Sequence, residues 1–385
     1  MCRITTKQLK RGLKVSAKCK KWLEKKLEAL QTLETYSLEK TNESIAKQLG
    51  ISPADIVKLN YNENLFMPRE KLVELMKEVA EECDVRIYPQ EEESKLREKL
   101  GNYIKTPKEG IVIGNASDEL IDRITRLFVE KSDIAVSVMP TFPVLSFCVK
   151  RQGAEYIAVS LLKNFSLDVE QLLGTFSPKT SLLYLCSPNS PTANQFKKDE
   201  IEKLIEEFPG MVLLDEAYAE YSDYSMVSQV NKYENLIILR TFSKAFGLAG
   251  LRLGYAVTND RLAKVLNEKV PLPFPVSIVT LSMGRKLLEN IEVVEKAVKE
   301  LKSERQKLIK SLNEINGIEA FNSQTNFVLY NTIKPSEDVY QTLLKRGIVI
   351  KKLGQILQYE NCLRTTVGLP QMNAKLLEAL REIFE

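Results

Sequence analysis

Between Ile111 and Val257 the sequence repeats one construction, a short apolar run followed by an amphipathic stretch. "GIVIGNA" leads into "DELIDRITRLFVE" and "IAVSVMPTF" into "PVLSFCVKRQG"; then come "EYIAVSL", "SLLYLCSPNSP", "EIEKLIEEF", "MVLLDEAY", "NLIILRTF" and "LRLGYAV". Apolar runs that do not alternate with polar residues suit strands covered on both faces, and the helical stretches between them supply the cover. This pattern predicts an α/β fold around a mostly parallel, doubly wound sheet. Ligands of such sheets gather at the carboxyl ends of the strands. Those ends carry the polar words here: "GNASDE", "PTF", "SPNSPT", "DEAY" and "TFSK".

Around this region the text changes. The first 35 or so residues are rich in lysine, with Leu23, Leu27 and Leu30 at helical spacing, and read as a solvated or partner-packed helix. "PLPFPVS", Pro271–Ser277, stops a helix and extends the chain, so a boundary falls there. A long helical pattern follows, then the strand-like "QTNFVLYNT", "GIVIKKL" and "CLRTTVG". The expected organisation is a basic N-terminal extension (1–37), an N-terminal arm with part of a small domain (38–70), a large domain (71–275) and a small α+β domain (276–385).

Composition removes whole chemistries. The 385 residues contain no histidine, which excludes Ser-His-Asp triads, histidine-ligated zinc and imidazole acid–base catalysis. No metal site is expected, and proton transfer falls to Lys, Tyr, Cys or a carboxylate. The six cysteines form no CxxC pair and read as the reduced thiols of a cytoplasmic protein. A net charge of +4 and the lack of a long apolar run predict neither a nucleic-acid nor a membrane partner. No GxGxxG follows a strand and no GxxxxGK[ST] occurs.

Against that background Lys244, in "RTFSKAFGLAGLRLGYA", is oddly placed. Glycines surround it, Thr241 and Ser243 precede it, and Arg252 follows. Asp215 closes an apolar run in "VLLDEAYAEY"; alone it reads equally well as a helix cap. Asn189 in "SPNSPT" could belong to an ordinary turn, and Ser117 and Asp118 to a capping segment. In this order they are more than isolated words. A helix N-terminus after "GNAS" offers N–H groups to a phosphate, Phe142 a stacking face, and Asn189, Asp215 and Tyr218 polar contacts. With Lys244, Thr241, Ser243 and Arg252 they suit an aromatic phosphate cofactor joined to lysine as a Schiff base.

The motifs "SPNSPT", "DEAY", "TFSKAFGLAGLRLGY" and "CLRTTVG", in that order, make the chain resemble the fold type I, pyridoxal-phosphate-dependent aminotransferases. "KLNYNEN" and "RIYP" make it most similar to the histidinol-phosphate aminotransferases, from about residue 38 to the C-terminus. The resemblance implies that Lys244 carries pyridoxal 5'-phosphate. Thr241, Ser243, Arg252 and the N–H groups of Ser117 and Asp118 would hold its phosphate. Asp215 would pair with the pyridine nitrogen, Asn189 and Tyr218 with the phenolic oxygen, and Phe142 would stack on the ring. Tyr88 would reach the phosphate of a neighbouring subunit, which implies a homodimer with shared sites. Arg364 would bind the substrate's anionic group, with Asn326, Asn62 and Lys351 on the substrate side. The implied reaction is amino transfer between L-histidinol phosphate and 2-oxoglutarate, giving imidazole acetol phosphate and glutamate in histidine biosynthesis.

Three positions depart from the family pattern. Ala193 replaces a glycine, which suits a turn with negative φ there; Leu65 replaces a proline; Lys351 stands where some members carry a second phosphate-binding arginine. The same scaffold also suits an aromatic amino acid aminotransferase or a threonine-phosphate decarboxylase. The basic leader motivates a further reading, an aminotransferase-like DNA-binding regulator.

Overall fold

Each apolar run becomes a strand. The protein is described by a computed structural model covering residues 17–31 and 40–385. The strands are β1 (Val57–Lys58), β2 (Ile111–Gly114), β3 (Ile134–Met139), β4 (Glu155–Ser160), β5 (Thr180–Cys186), β6 (Met211–Asp215), β7 (Leu236–Thr241), β8 (Gly254–Val257), β9 (Ile318–Ala320), β10 (Phe327–Thr332), β11 (Ile348–Val349), β12 (Lys351–Ile356) and β13 (Tyr359–Thr366).

Seven of them form the main sheet in the order β2-β8-β7-β6-β5-β3-β4. The pairs β3/β4, β3/β5, β5/β6 and β6/β7 are parallel, and β8 runs antiparallel to both its neighbours. Alternate side chains enter two separate buried layers. Leu183, Leu185, Val212, Leu214 and Ile238 lie in one, and Leu182, Tyr184, Leu213, Ile237 and Leu239 in the other. That two-sided burial is why the runs lack alternation. The register sets Cys186 beside Asp215 and Asp215 beside Leu239, so β5 and β6 end at one level and β7 runs two residues further, to Thr241.

A second sheet of four antiparallel strands, β12-β13-β10-β9, follows the helices Ile278–Glu289 and Ile291–Asn313. The long helical pattern is therefore two helices, broken at Asn290. β1 pairs in parallel with β11, which joins the arm before the large sheet to the C-terminal region. "LRLGYAV" forms strand only from Gly254, because Arg252 adopts a left-handed backbone (φ 55°) at the end of a 3-10 turn.

The helix Ala17–Gln31 belongs to a unit separate from residues 40–385, and its Trp22, Leu23 and Leu27 are exposed. The rest of the basic extension, its expected boundary at 37 and Cys2 lie outside the described residues. Among the described residues no helix is long and apolar enough to cross a membrane.

Candidate active site

The segment bearing Lys244 is pinned on both sides by aromatic residues. Phe242 and Phe246 are fully buried, with ring centroids 4.4 Å apart. Tyr103 meets Phe246 edge-on at 5.8 Å and Tyr255 meets Phe242 at 5.9 Å. Each such contact adds about 0.5–1.5 kcal/mol beyond burial, so the loop is firmly held. Gly247 turns it with φ 68°, and a Cβ there would sit 2.7 Å from Cγ of Met67. Lys244 is left half-buried, its Nζ donating to the Tyr61 carbonyl at 3.4 Å and lying 5.7 Å from the Tyr218 ring centroid. Burial, helped by the Arg364 charge, lowers its pKa to about 8.

Asp215 ends β6 and is 2% exposed. Its Oδ2 accepts from the Tyr184 hydroxyl at 2.8 Å and its Oδ1 from the Ala217 N–H at 3.0 Å. Burial pushes its pKa up to about 6, against those two hydrogen bonds. Tyr218 stands in the turn that follows. Its hydroxyl accepts from Asn62 Nδ2 at 3.0 Å, and burial raises its pKa.

The residues expected to bind an anion are adjacent. Arg252 donates from Nη1 to Ser243 Oγ (3.4 Å) and from Nη2 to Asp118 Oδ2 (3.0 Å). Thr241 Oγ1 accepts from the Ser243 N–H at 3.1 Å. Ser117 and Asp118 lie in the first turn of the helix Ala116–Phe128, whose N-cap Asn115 makes no side-chain cap bond, while Glu119 Oε2 accepts from the Asn115 N–H (3.2 Å). Gly254 allows that helix start to lie against β8: a Cβ at 254 would stand 2.5 Å from the Ser117 nitrogen.

The strap "NYNEN" closes over Lys244. Asn62 donates its N–H to Thr366 Oγ1 (3.0 Å), Asn326 Nδ2 donates to the Asn62 carbonyl (2.7 Å), and Asn64 Nδ2 donates to the Ala245 carbonyl (2.8 Å). Oδ1 of Asn62 and Oδ1 of Asn326 are buried without a hydrogen-bond partner among the described residues. Unsatisfied buried acceptors in a polar site call for a donor from a ligand or water. Arg364 on β13 donates to the Asn60 carbonyl (3.0 Å) and Ser190 Oγ (3.4 Å), and its guanidinium lies 5.0 Å from the Phe327 ring centroid. Lys351 is its direct cross-strand partner, so both cations share one face of the sheet.

Asn189 is fully buried. Its Nδ2 donates to the Pro140 carbonyl (2.9 Å) and to Thr192 Oγ1 (2.7 Å), and its Oδ1 accepts from Thr141 Oγ1 (2.7 Å). That last bond sets Phe142, packed on the second core layer, next to the Asn189 loop. Tyr88 stands apart: it is 71% exposed and stacks on Phe274 at 4.9 Å.

Ala193 corrects an expectation. Its φ is 66°, left-handed rather than negative, and Ala116 at the start of the helix Ala116–Phe128 is alike at 67°. An L-residue there is strained by about 1–2 kcal/mol, partly offset against glycine by lower chain entropy. Ala193→Gly is therefore expected to raise stability by up to about 1 kcal/mol, read as a higher urea midpoint at constant slope. A lower midpoint contradicts the strain.

Reading the sequence alone passed over Tyr184, Asn64, Thr366 and the Tyr61 carbonyl. Tyr184 did leave a signal, a phenol within an otherwise apolar strand.

Residues 54–382 match the model of the aminotransferase class I and II family, and the chain belongs to that family. The relatives it matches include histidinol-phosphate aminotransferases. That of a Thermoanaerobacter species is 36% identical over 85% of this chain and 93% of its own length. That of Methanosarcina mazei is 34% identical over 90% of this chain and 93% of its own. The fold also matches the crystal structure of the Sinorhizobium meliloti histidinol-phosphate aminotransferase in complex with pyridoxal-5'-phosphate (TM-score 0.82, 24% identity, 92% of this chain, 96% of that one). The L-threonine-O-3-phosphate decarboxylase of Porphyromonas gingivalis shares the fold at 20% identity, over 85% of this chain and 99% of that one, with a TM-score of 0.73.

Proposed function

We propose that this enzyme uses pyridoxal 5'-phosphate to transfer the amino group between L-histidinol phosphate and 2-oxoglutarate. Relatives of that activity, 34–37% identical across most of the chain, support the substrate pair. The observation that carries the phosphate-ester part is the cross-strand pair of Lys351 and Arg364. Like charges directly opposite one another oppose folding, and a doubly charged phosphate ester between them turns that repulsion into attraction.

The residues fit the cofactor. Thr241, Ser243, Arg252 and the N–H groups of Ser117 and Asp118 would hold its phosphate, Phe142 would cover one ring face, and Tyr218 would donate its hydroxyl to the phenolic oxygen; Asn189, whose two amide hydrogens go to the Pro140 carbonyl and Thr192 Oγ1, would have to release one to join it. When bound, the cofactor supplies an electron sink for the pair left on the substrate's α-carbon. Asp215, buried and anionic, would favour a proton on the pyridine nitrogen and so deepen that sink. Lys244 would be the residue that holds the cofactor, through its Nζ. The same Nζ, when neutral, would serve as the base that moves the proton of the substrate's α-carbon. The burial that lowers the Lys244 pKa to about 8 favours the neutral amine. Arg364 binds the glutamate carboxylate in one half-reaction and the phosphate ester in the other, its fork matching both. Asn62 and Asn326 present unsatisfied acceptors to the substrate side, and the strap they tie down limits water.

Lys351→Met tests the anion reading. Loss of one charge-assisted contact should raise KM for histidinol phosphate by about tenfold. KM for glutamate, whose carboxylate carries less charge, should change less. Equal effects on both substrates would remove Lys351 from phosphate recognition.

The same reading makes the enzyme a cytoplasmic homodimer in which Tyr88 completes the partner's site. Exposed Val85, Ile87, Tyr88, Leu272 and Phe274 support a subunit contact, and free Cys83, Cys148, Cys186 and Cys362 support a reducing compartment. A single-chain mass in sedimentation, or recovery in a secreted fraction, would count against it.

A further inference from the structure

On the face of the main sheet opposite Asp215 and Thr241 lies a buried charged cluster that none of the chemistry above uses. Arg240 directly precedes Thr241 and Glu216 directly follows Asp215, so alternation sends both to the back of the strand ends. Arg240 donates from Nε to Glu216 Oε2 (2.9 Å), from Nη1 to Glu220 Oε1 (3.2 Å) and from Nη2 to Ser225 Oγ (2.7 Å). Glu216 Oε2 also accepts from Ser225 Oγ (2.8 Å), and Oε1 from the Met226 N–H (2.7 Å). Arg240 is 8% exposed at its side chain, Glu216 3% and Glu220 8%. Tyr255 is the register partner of Arg240 on β8.

We propose that Arg240, with Glu216, Glu220 and Ser225, is a positioning cluster that clamps the ends of β6 and β7 and the following turn from behind. It thereby fixes the relative heights of Asp215, Tyr218 and the Lys244 segment. The proposal rests on the roles given above to those three residues. Two features carry it. The three charged members each lie next to, or two residues from, a site residue: Glu216 by Asp215, Glu220 by Tyr218, Arg240 by Thr241. And a buried ion cluster is a poor source of stability, because desolvation offsets the attraction. What a guanidinium fork does supply is directional geometry, since three of its nitrogens here each reach a different segment. Reaction rates respond steeply to such geometry, with misplacements near an ångström costing about a hundredfold.

The test uses the full chain. Arg240→Lys keeps the charge and loses the fork; Ser225→Ala removes one hydroxyl from the cluster. Apoenzyme is titrated with pyridoxal phosphate, following the absorbance of the lysine-bound cofactor, and kcat, KM for glutamate and Tm are measured. Arg240→Lys is expected to weaken cofactor binding and lower kcat by about tenfold each, with KM within about threefold. Ser225→Ala should lower kcat by about threefold, and it decides the matter if Arg240→Lys does not fold. Variants that melt earlier yet keep cofactor affinity and kcat within twofold of the parent make the cluster purely structural and overturn the proposal. The cofactor titration needs no amino donor, so a parent inactive on histidinol phosphate would count against the substrate assignment alone.

Discussion

Lys244→Ala is expected to lower transamination by about 10⁴-fold or more, because in the proposed function one amine both holds the cofactor and moves the proton. Its apo form should melt no earlier than the parent. An ammonium held half-buried with its pKa lowered opposes folding below that pKa, and alanine removes the opposition. The sign follows from linkage: with the folded pKa near 8 and the unfolded value near 10.5, the unfolded chain binds more protons between those limits. Stability contributed at this site therefore rises with pH across that window. The neutral amine is also the form that captures the cofactor, so attachment of pyridoxal phosphate to the parent apoenzyme should accelerate as pH rises through about 8 and then level off. Stopped-flow absorbance at a series of pH values reads this directly. A variant within tenfold of parental activity, or a pH-independent attachment rate, would remove Lys244 from the chemistry.

Asp215→Asn loses about 10²–10³-fold in kcat, the usual loss when one group poised against developing charge is removed. The apo protein gains stability at the same time. Burial raises the carboxyl from 3.8 to about 6, so the folded state binds a proton that the unfolded chain has released. Stability is lost as pH rises from about 4 to 6, by about 3 kcal/mol in total. Asparagine carries no charge and can accept from the Ala217 N–H and donate to the Tyr184 oxygen; the Tyr184 proton loses its acceptor, a smaller cost than the buried charge that is removed. At pH 8 apo Asp215→Asn is thus expected to unfold at higher urea than the parent, while the difference shrinks near pH 4. An apo variant less stable at pH 8 would show that the carboxylate is not held at a cost, and would undercut its role as a counter-ion awaiting a pyridinium.

How much of this was legible in the sequence depends on distance and on period. The main sheet was readable because strands buried on both faces leave unbroken apolar runs, and the site was readable because polar words stood at their ends. The same burial hid Tyr184: in "SLLYLC" both faces are apolar, so nothing says which side chains look toward Asp215. Arg240 was hidden differently. It sits in the lysine motif, but strand alternation turns it to the other face, where partners from "DEAYAEY" and "YSM" meet it only after folding. The asparagine strap joins residues far apart in sequence, such as Asn62 with Tyr218 and Asn326, and no local pattern encodes such pairs. Ala193 misled because alanine normally avoids positive φ; here the Ala193 N–H bonds to the Asn189 carbonyl and its own carbonyl accepts from the Gln324 N–H, which hold it there.

The most direct test of the central claim is kcat/KM of the cofactor-loaded enzyme for L-histidinol phosphate with 2-oxoglutarate, beside phenylalanine, tyrosine and threonine phosphate as donors. The account predicts glutamate formation with histidinol phosphate preferred by at least about tenfold, the worth of one charge-assisted phosphate contact. Preference for an aromatic donor, or carbon dioxide release from threonine phosphate without glutamate formation, would contradict it.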